Sequence, residues 1–177
     1  MKTKKKKHYV NNKDFLQALI EYKEEVNKAL ENDLPRPRVS NYVGDCIMKI
    51  AVHLSHKPNF VNYSFKEEMI CDGIENCLQY IDNFNPEKST NPFAYFTQII
   101  FFAFLRRIAK EKKHLYTKLK LTEELNVLHM TSDVDAHNSD SVYDTAIKYN
   151  EWTEDYVSNF IRDFEETKRK NREKKGA

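Results

Sequence analysis

Glu68-Met69-Ile70-Cys71-Asp72-Gly73-Ile74-Glu75-Asn76-Cys77-Leu78-Gln79 is the stretch that decides how the chain is read. Glu68, Asp72, Glu75 and Gln79 fall three or four residues apart, so they share one stripe of a helix. Met69, Ile70, Ile74, Cys77 and Leu78, with Ile81 just beyond, make the opposite, apolar stripe. Like charges at such spacings cost about 0.2–0.5 kcal/mol per pair. Two readings of the acidic stripe therefore stand: a solvated face, or a face met by something basic outside the chain.

The same helical period governs most of the 177 residues, which include only 3 glycines and 5 prolines and show no sustained alternation. The predicted fold class is all-α, a compact helical bundle, and the 40% hydrophobic content suffices for one core of ordinary size plus appendages. A first helix is expected from about 12 to 31, with Asn12 as its cap and Phe15, Leu16, Leu19, Ile20, Tyr22, Val26 and Leu30 on its apolar face. Pro35 and Pro37 break it. A second, from about 39 to 55, places Tyr42, Cys46, Ile47, Ile50, Ala51 and Leu54 on one face. A third spans about 65 to 82, and a fourth opens at Pro92 and runs to about 113 or beyond. The expected organisation is a basic tail at 1–8, a helical module at 9–120, an acidic linker at 121–141, a helical element at 142–166 and a basic tail at 167–177.

Several function classes find no support. No apolar run approaches the roughly 20 residues of a membrane span, and no apolar stretch follows the lysine-rich start to make a secretion signal. A soluble, intracellular protein is expected. Cys46, Cys71 and Cys77 are odd in number and lack Cys-x-x-Cys spacing, which reads as reduced core cysteines. His53 and His56 share a helix face but lack a full ligand set with zinc spacing, and His8, His114, His129 and His137 are scattered. There is no glycine-rich phosphate loop, nucleophile elbow or activated-cysteine motif. Asp133, Asp135 and Asp140, which resemble nuclease acids, fall in the expected linker. No catalytic residue, metal or cofactor is assigned, and the protein is not expected to be an enzyme.

Charge is uneven along the chain although the net is only +2. Residues 105–120 hold seven cations against Glu111, a local +6, and residues 122–166 hold twelve acids against Lys148 and Arg162, a local −10. Both ends are basic and read as solvated tails. Such alternation suits a protein that touches a polyanion with some surfaces and keeps another away. The fourth helix adds Phe93, Tyr95, Phe96, Phe101, Phe102 and Phe104, with Ile99, Ile100 and Leu105, around its whole circumference. Either it is sandwiched between two layers, or some rings lie at the surface beside the cationic run. The second arrangement is what a single-stranded nucleic acid needs, since bases stack on rings at about 1–3 kcal/mol each while Lys and Arg follow the phosphates.

The order of these pieces resembles the second conserved region of bacterial sigma factors over residues 68–111. The family's Asp-Leu-Ile-Gln-Glu-Gly stands here as Glu68-Met69-Ile70-Cys71-Asp72-Gly73, and its Phe-Asp-Pro-Glu-Arg turn as Phe84-Asn85-Pro86-Glu87-Lys88. The Tyr and second Thr of its Phe-Ser-Thr-Tyr-Ala-Thr string fall on Tyr95 and Thr97, and Ala103-Phe104-Leu105-Arg106-Arg107-Ile108-Ala109 resembles its Ala-Ile-Thr-Arg-Ser-Ile-Ala. Tyr9-Val10-Asn11-Asn12-Lys13, the run 66–75, Asn91-Pro92-Phe93-Ala94-Tyr95 and the run 107–113 are similar to the late-transcription sigma factor of large tailed phages, from about 9 to 115. That family resembles a sigma factor reduced to its core-binding and −10-element module, and nothing after Lys120 reads as a helix-turn-helix for a −35 element.

The resemblance implies particular partners. Glu68, Asp72 and Gln79 would meet the basic coiled coil of the β′ subunit of host core RNA polymerase, with Glu75 on the same stripe at a position usually apolar in the family. Tyr95, Thr97, Gln98 and Ile99 would grip the opened AT-rich −10 element of promoter DNA, a flipped-out base stacking near Tyr95. Gln98 and Ile99 replace the family's wedging tryptophan pair, so the wedge is smaller or lies elsewhere. Arg106, Arg107, Lys110, Lys112 and Lys113 would contact phosphates. A phage coactivator and the sliding clamp are further candidate partners. The usual terminal clamp-binding peptide is missing, which moves any clamp contact to Phe160-Ile161-Arg162-Asp163-Phe164-Glu165-Glu166. The implied location is the cytoplasm of the infected bacterial host. The competing reading is a polymerase-binding regulator, inhibitor or coactivator, that uses the third helix and reads no DNA.

Overall fold

The computed structural model describes residues 9–124 and 140–176, and every regular element among them is a helix, as the periodicity predicts. These are α1 (Asn12–Glu31), α2 (Asn41–Ser55), α3 (Lys66–Gln79), a 3-10 turn (Ile81–Asn83), α4 (Pro92–Glu124) and α5 (Asp140–Gly176). They form two units, one ending at Ile108 and the other beginning at Ala109, so α4 runs through the division. Among the described residues, no helix is long and apolar enough to cross a membrane.

Helix starts are set by side chains that satisfy free backbone amides. Asn11, not Asn12, caps α1 by accepting the Lys13 amide at 3.1 Å. Asn12 caps a different helix: its Oδ1 accepts the Phe93 amide (3.1 Å) and its Nδ2 donates to the Thr90 carbonyl (3.3 Å). Asn91 accepts the Ala94 amide at 3.1 Å, and Pro92 between them has no amide to satisfy, so the first turn of α4 is closed from two directions. Ser40 caps α2 by accepting the Val43 amide at 3.4 Å, which starts that helix at Asn41 rather than 39. The third helix is shorter than expected. It ends at Gln79, and the 3-10 turn that follows directs Ile81 and Phe84 into the core.

In the first unit Phe15, Ile47, Ile50, Met69, Phe96, Ile100 and Phe104 are almost wholly buried. Phe60 joins them, meeting Phe104 and Phe101 edge-on at 5.1 and 5.6 Å. Gly73 lies where α3 packs tightly on α4: a Cβ there would stand 3.0 Å from Ile100 Cγ2 and 3.2 Å from Phe104 Cε1. Arg36 ties down the proline-broken loop by donating to the Tyr22 hydroxyl (3.1 and 3.0 Å) and to Asp82 (2.8 Å). Tyr9 stacks on His53 with ring centroids 3.9 Å apart, which holds the first described residues against α2. Cys46 and Cys77 are core residues as expected, and burial pushes the Cys77 thiol up to about 12. Cys71 is exposed instead, because it lies on the stripe of Glu68 and Glu75. Leu30, Tyr42 and Leu78, expected on apolar faces, are exposed as well.

The second unit pairs the end of α4 with α5. Tyr116 stacks on Phe164 at 4.4 Å and donates its hydroxyl to Glu165 at 2.8 Å, while Val157 and Ile161 are buried. The basic run after 166 continues the helix to Gly176 instead of forming a tail. Its i,i+4 pairs, Lys170 with Glu166 at 2.7 Å and Arg169 with Glu173 at 3.7 Å, are of the kind that supports a solvated helix. Residues 1–8 and the greater part of the expected acidic linker, 125–139, lie outside the described residues.

Overpacking the α3–α4 contact with Gly73→Leu is expected to cost about 1–3 kcal/mol in urea unfolding. Gly44→Ala, in a helix with nothing within 4 Å of the new methyl, is expected to gain up to about 1 kcal/mol. Of the three free cysteines, Cys71 alone should react rapidly with a thiol reagent in the native protein, and all three in denaturant. Fast reaction of a second thiol in the native state would contradict the burial of Cys46 and Cys77.

Candidate functional site

Helix α3 presents Glu68, Glu75 and Gln79 to solvent on one stripe, with Cys71 and Leu78 beside them. Glu75 therefore faces outward with Glu68. Asp72 is turned aside. Its carboxylate accepts a bidentate pair from Arg107, Nε to Oδ2 at 2.6 Å and Nη2 to Oδ1 at 2.7 Å, with both side chains largely removed from water. One turn on, Asn76 Oδ1 accepts Arg106 Nη2 at 2.6 Å, and Asn76 Nδ2 donates to the Asp72 carbonyl at 2.7 Å. Two residues expected at separate surfaces, Asp72 on the polymerase and Arg107 on the DNA, thus neutralise one another. Asn76 was not singled out in the sequence; its position one helical turn after Asp72 is the only signal that could have marked it.

The expected DNA-gripping residues divide in the same way. The Tyr95 hydroxyl donates to the Tyr80 carbonyl at 3.2 Å, and its half-buried ring packs against Phe84 and Phe96, each with centroids 5.2 Å away. Burial pushes its phenol up. Thr97 bonds back to the Phe93 carbonyl at 2.6 Å, and Ile99 packs on the core. Gln98 is exposed. It leads a stripe of three- and four-residue steps through Phe101, Phe102 and Leu105, which are 37%, 48% and 41% exposed. Helix α4 is therefore not buried all round, and Phe101 and Phe102 are the surface rings. Arg106 is exposed at the end of that stripe; Lys110, Lys112 and Lys113 are exposed in the second unit.

Among the described residues, no group of three or more His, Cys, Asp or Glu is placed to hold an ion. His53 is stacked on Tyr9, and His56 Nδ1 donates to the Val52 carbonyl at 2.6 Å. Asp133 and Asp135 lie outside the described residues. Compared with known proteins, the chain matches no family model, and no curated protein matches it.

A double-mutant cycle between Asp72 and Arg107 is expected to give a coupling of about 1–2 kcal/mol in thermal or chemical unfolding, since each single change leaves a partly buried charge without its partner. A coupling near zero would mean that the pair is a surface ion pair in effect.

Proposed function

We propose that this protein is a sigma factor that binds host core RNA polymerase and directs it to AT-rich −10-type elements of late phage promoters. It acts in the cytoplasm of the infected bacterium. The observation that carries this reading is the solvent-exposed stripe Gln98, Phe101, Phe102 and Leu105 on α4, which ends at Arg106. Rings and a side-chain amide beside a cation are the groups that an unpaired strand needs. Two helices of the same unit then carry the two partners. Glu68, Glu75 and Gln79 on α3 meet the basic coiled coil of the β′ subunit, which relieves the like-charge cost of that stripe. Gln98 and Phe102 touch the melted strand, Tyr95 and Ile99 hold α4 in place behind them, and Arg106 meets a phosphate.

The mechanism involves no bond-making by this chain. Promoter opening becomes favourable because bases that leave the duplex stack on exposed rings at about 1–3 kcal/mol each, and the polymerase carries out the chemistry. A phage coactivator or the sliding clamp would add recruitment energy.

One observation favours the regulator reading: Tyr95 and Thr97, central to base capture in the resemblance, spend their hydroxyls on backbone carbonyls. Run-off transcription with host core polymerase on a TATAAATA-containing template separates the two. The intact protein is expected to support initiation, Glu68→Lys/Glu75→Lys to lose core binding, and Gln98→Ala/Phe102→Ala to keep core binding while losing about tenfold or more in open complexes. Core binding without initiation would establish a polymerase regulator, and no core binding would overturn both readings.

A further inference from the structure

Within the second unit, α4 and α5 enclose a groove of about 670 Å3, a volume typical of ligand sites and too small for a duplex. Its apolar lining comes from Phe160 and Phe164, and its charge from Lys112 and Lys113 of α4 with Lys168 and Arg172 of α5. The rings are ordered. Tyr156, Phe160 and Phe164 succeed one another at 6.3 and 6.4 Å with planes 28° and 21° apart, and Tyr116 closes the series on Phe164 at 18°.

The cations are ordered too. On α5, Arg169 and Lys170 are paired with Glu173 and Glu166 outside the groove. The acid that lines the groove, Asp163, lies 3.7 Å from Arg162. No described residue pairs with Lys112, Lys113, Lys168 or Arg172. A cleft with an apolar wall and four cations against the one acid Asp163 concentrates a polyanion, and half-buried rings give that polyanion a reason to carry bases.

We infer that this groove binds a single strand of nucleic acid, with phosphates along the four cations and bases against Phe160 and Phe164. Lys112 and Lys113 belong to the run that carries the sigma-factor resemblance, but the rings and the other two cations stand on α5, beyond it, and binding here needs no polymerase. An acidic peptide would satisfy the cations but would leave the rings without stacking partners.

The test is fluorescence anisotropy of a labelled oligo(dT) with the full chain, over a range of salt. Four phosphate contacts predict a slope of log affinity on log salt of about −3. Lys168→Glu/Arg172→Glu is expected to weaken binding about tenfold or more and flatten that slope. Arg169→Glu/Lys170→Glu, the same change of charge on the same helix but outside the groove, is expected to change binding by less than about threefold. Phe160→Leu keeps an apolar residue on α5 and is expected to weaken oligo(dT) about fivefold while leaving heparin, a polyanion without bases, unchanged. Equal weakening by the two charge variants, oligo(dT) and heparin affected alike by Phe160→Leu, or no oligo(dT) binding by the intact chain would each overturn the inference. Loss of run-off transcription with oligo(dT) binding intact would instead count against the sigma-factor reading alone.

Discussion

Helix α3 lies against α4 as closely as it does because position 73 carries no side chain. With Ile100 Cγ2 and Phe104 Cε1 at 3.0 and 3.2 Å from where a Cβ would stand, any larger residue has to displace those side chains or the helices that carry them. That approach fixes the rotation of both. On α3 it turns Met69 and Cys77 inward and leaves Glu68, Glu75 and Gln79 in water. On α4 it buries Phe96, Ile100 and Phe104 and leaves Gln98, Phe102 and Leu105 outside. It also brings Asp72 and Asn76 within hydrogen-bonding reach of Arg107 and Arg106, which adds a polar clasp alongside the apolar contact.

Periodicity made the elements legible, because an apolar stripe must be buried wherever the chain folds. It recovered the approximate span of α1, though not its cap, and the opening of α4 at Pro92. What it could not show were choices between neighbours that depend on another element. Asn11 and Asn12 are equally good caps, and only the position of Phe93 decides that Asn12 serves α4. Cys71 and Cys77 belong to the same helix, yet six positions put them on different faces. Asp72 belongs to the acidic stripe by spacing alone; Arg107, 35 residues later, takes it out of that stripe.

The candidate site is consequently narrower than the run of residues that suggested it. Of the acids, Glu68 and Glu75 retain an open surface, and of the α4 residues expected to read DNA, Gln98 does. Tyr95, Thr97 and Ile99 support the fold from beneath the exposed stripe, so their part in any recognition is to hold α4 in position. Basic residues also differ in kind. Arg107 is structural, whereas Lys112 and Lys113 share a groove with cations of α5 that were read as part of a solvated tail.

The bond from Asn12 to Phe93 spans 81 positions of sequence. During synthesis the first helix emerges from the ribosome long before the amide that its asparagine will accept, so its cap for α4 stays idle until the fourth helix has been made. Contacts of such separation slow folding, because a long loop must be closed before they return any stability. The first unit therefore completes its fold late in translation, and the acidic and aromatic stripes reach their final arrangement only after the chain has been made well past residue 93.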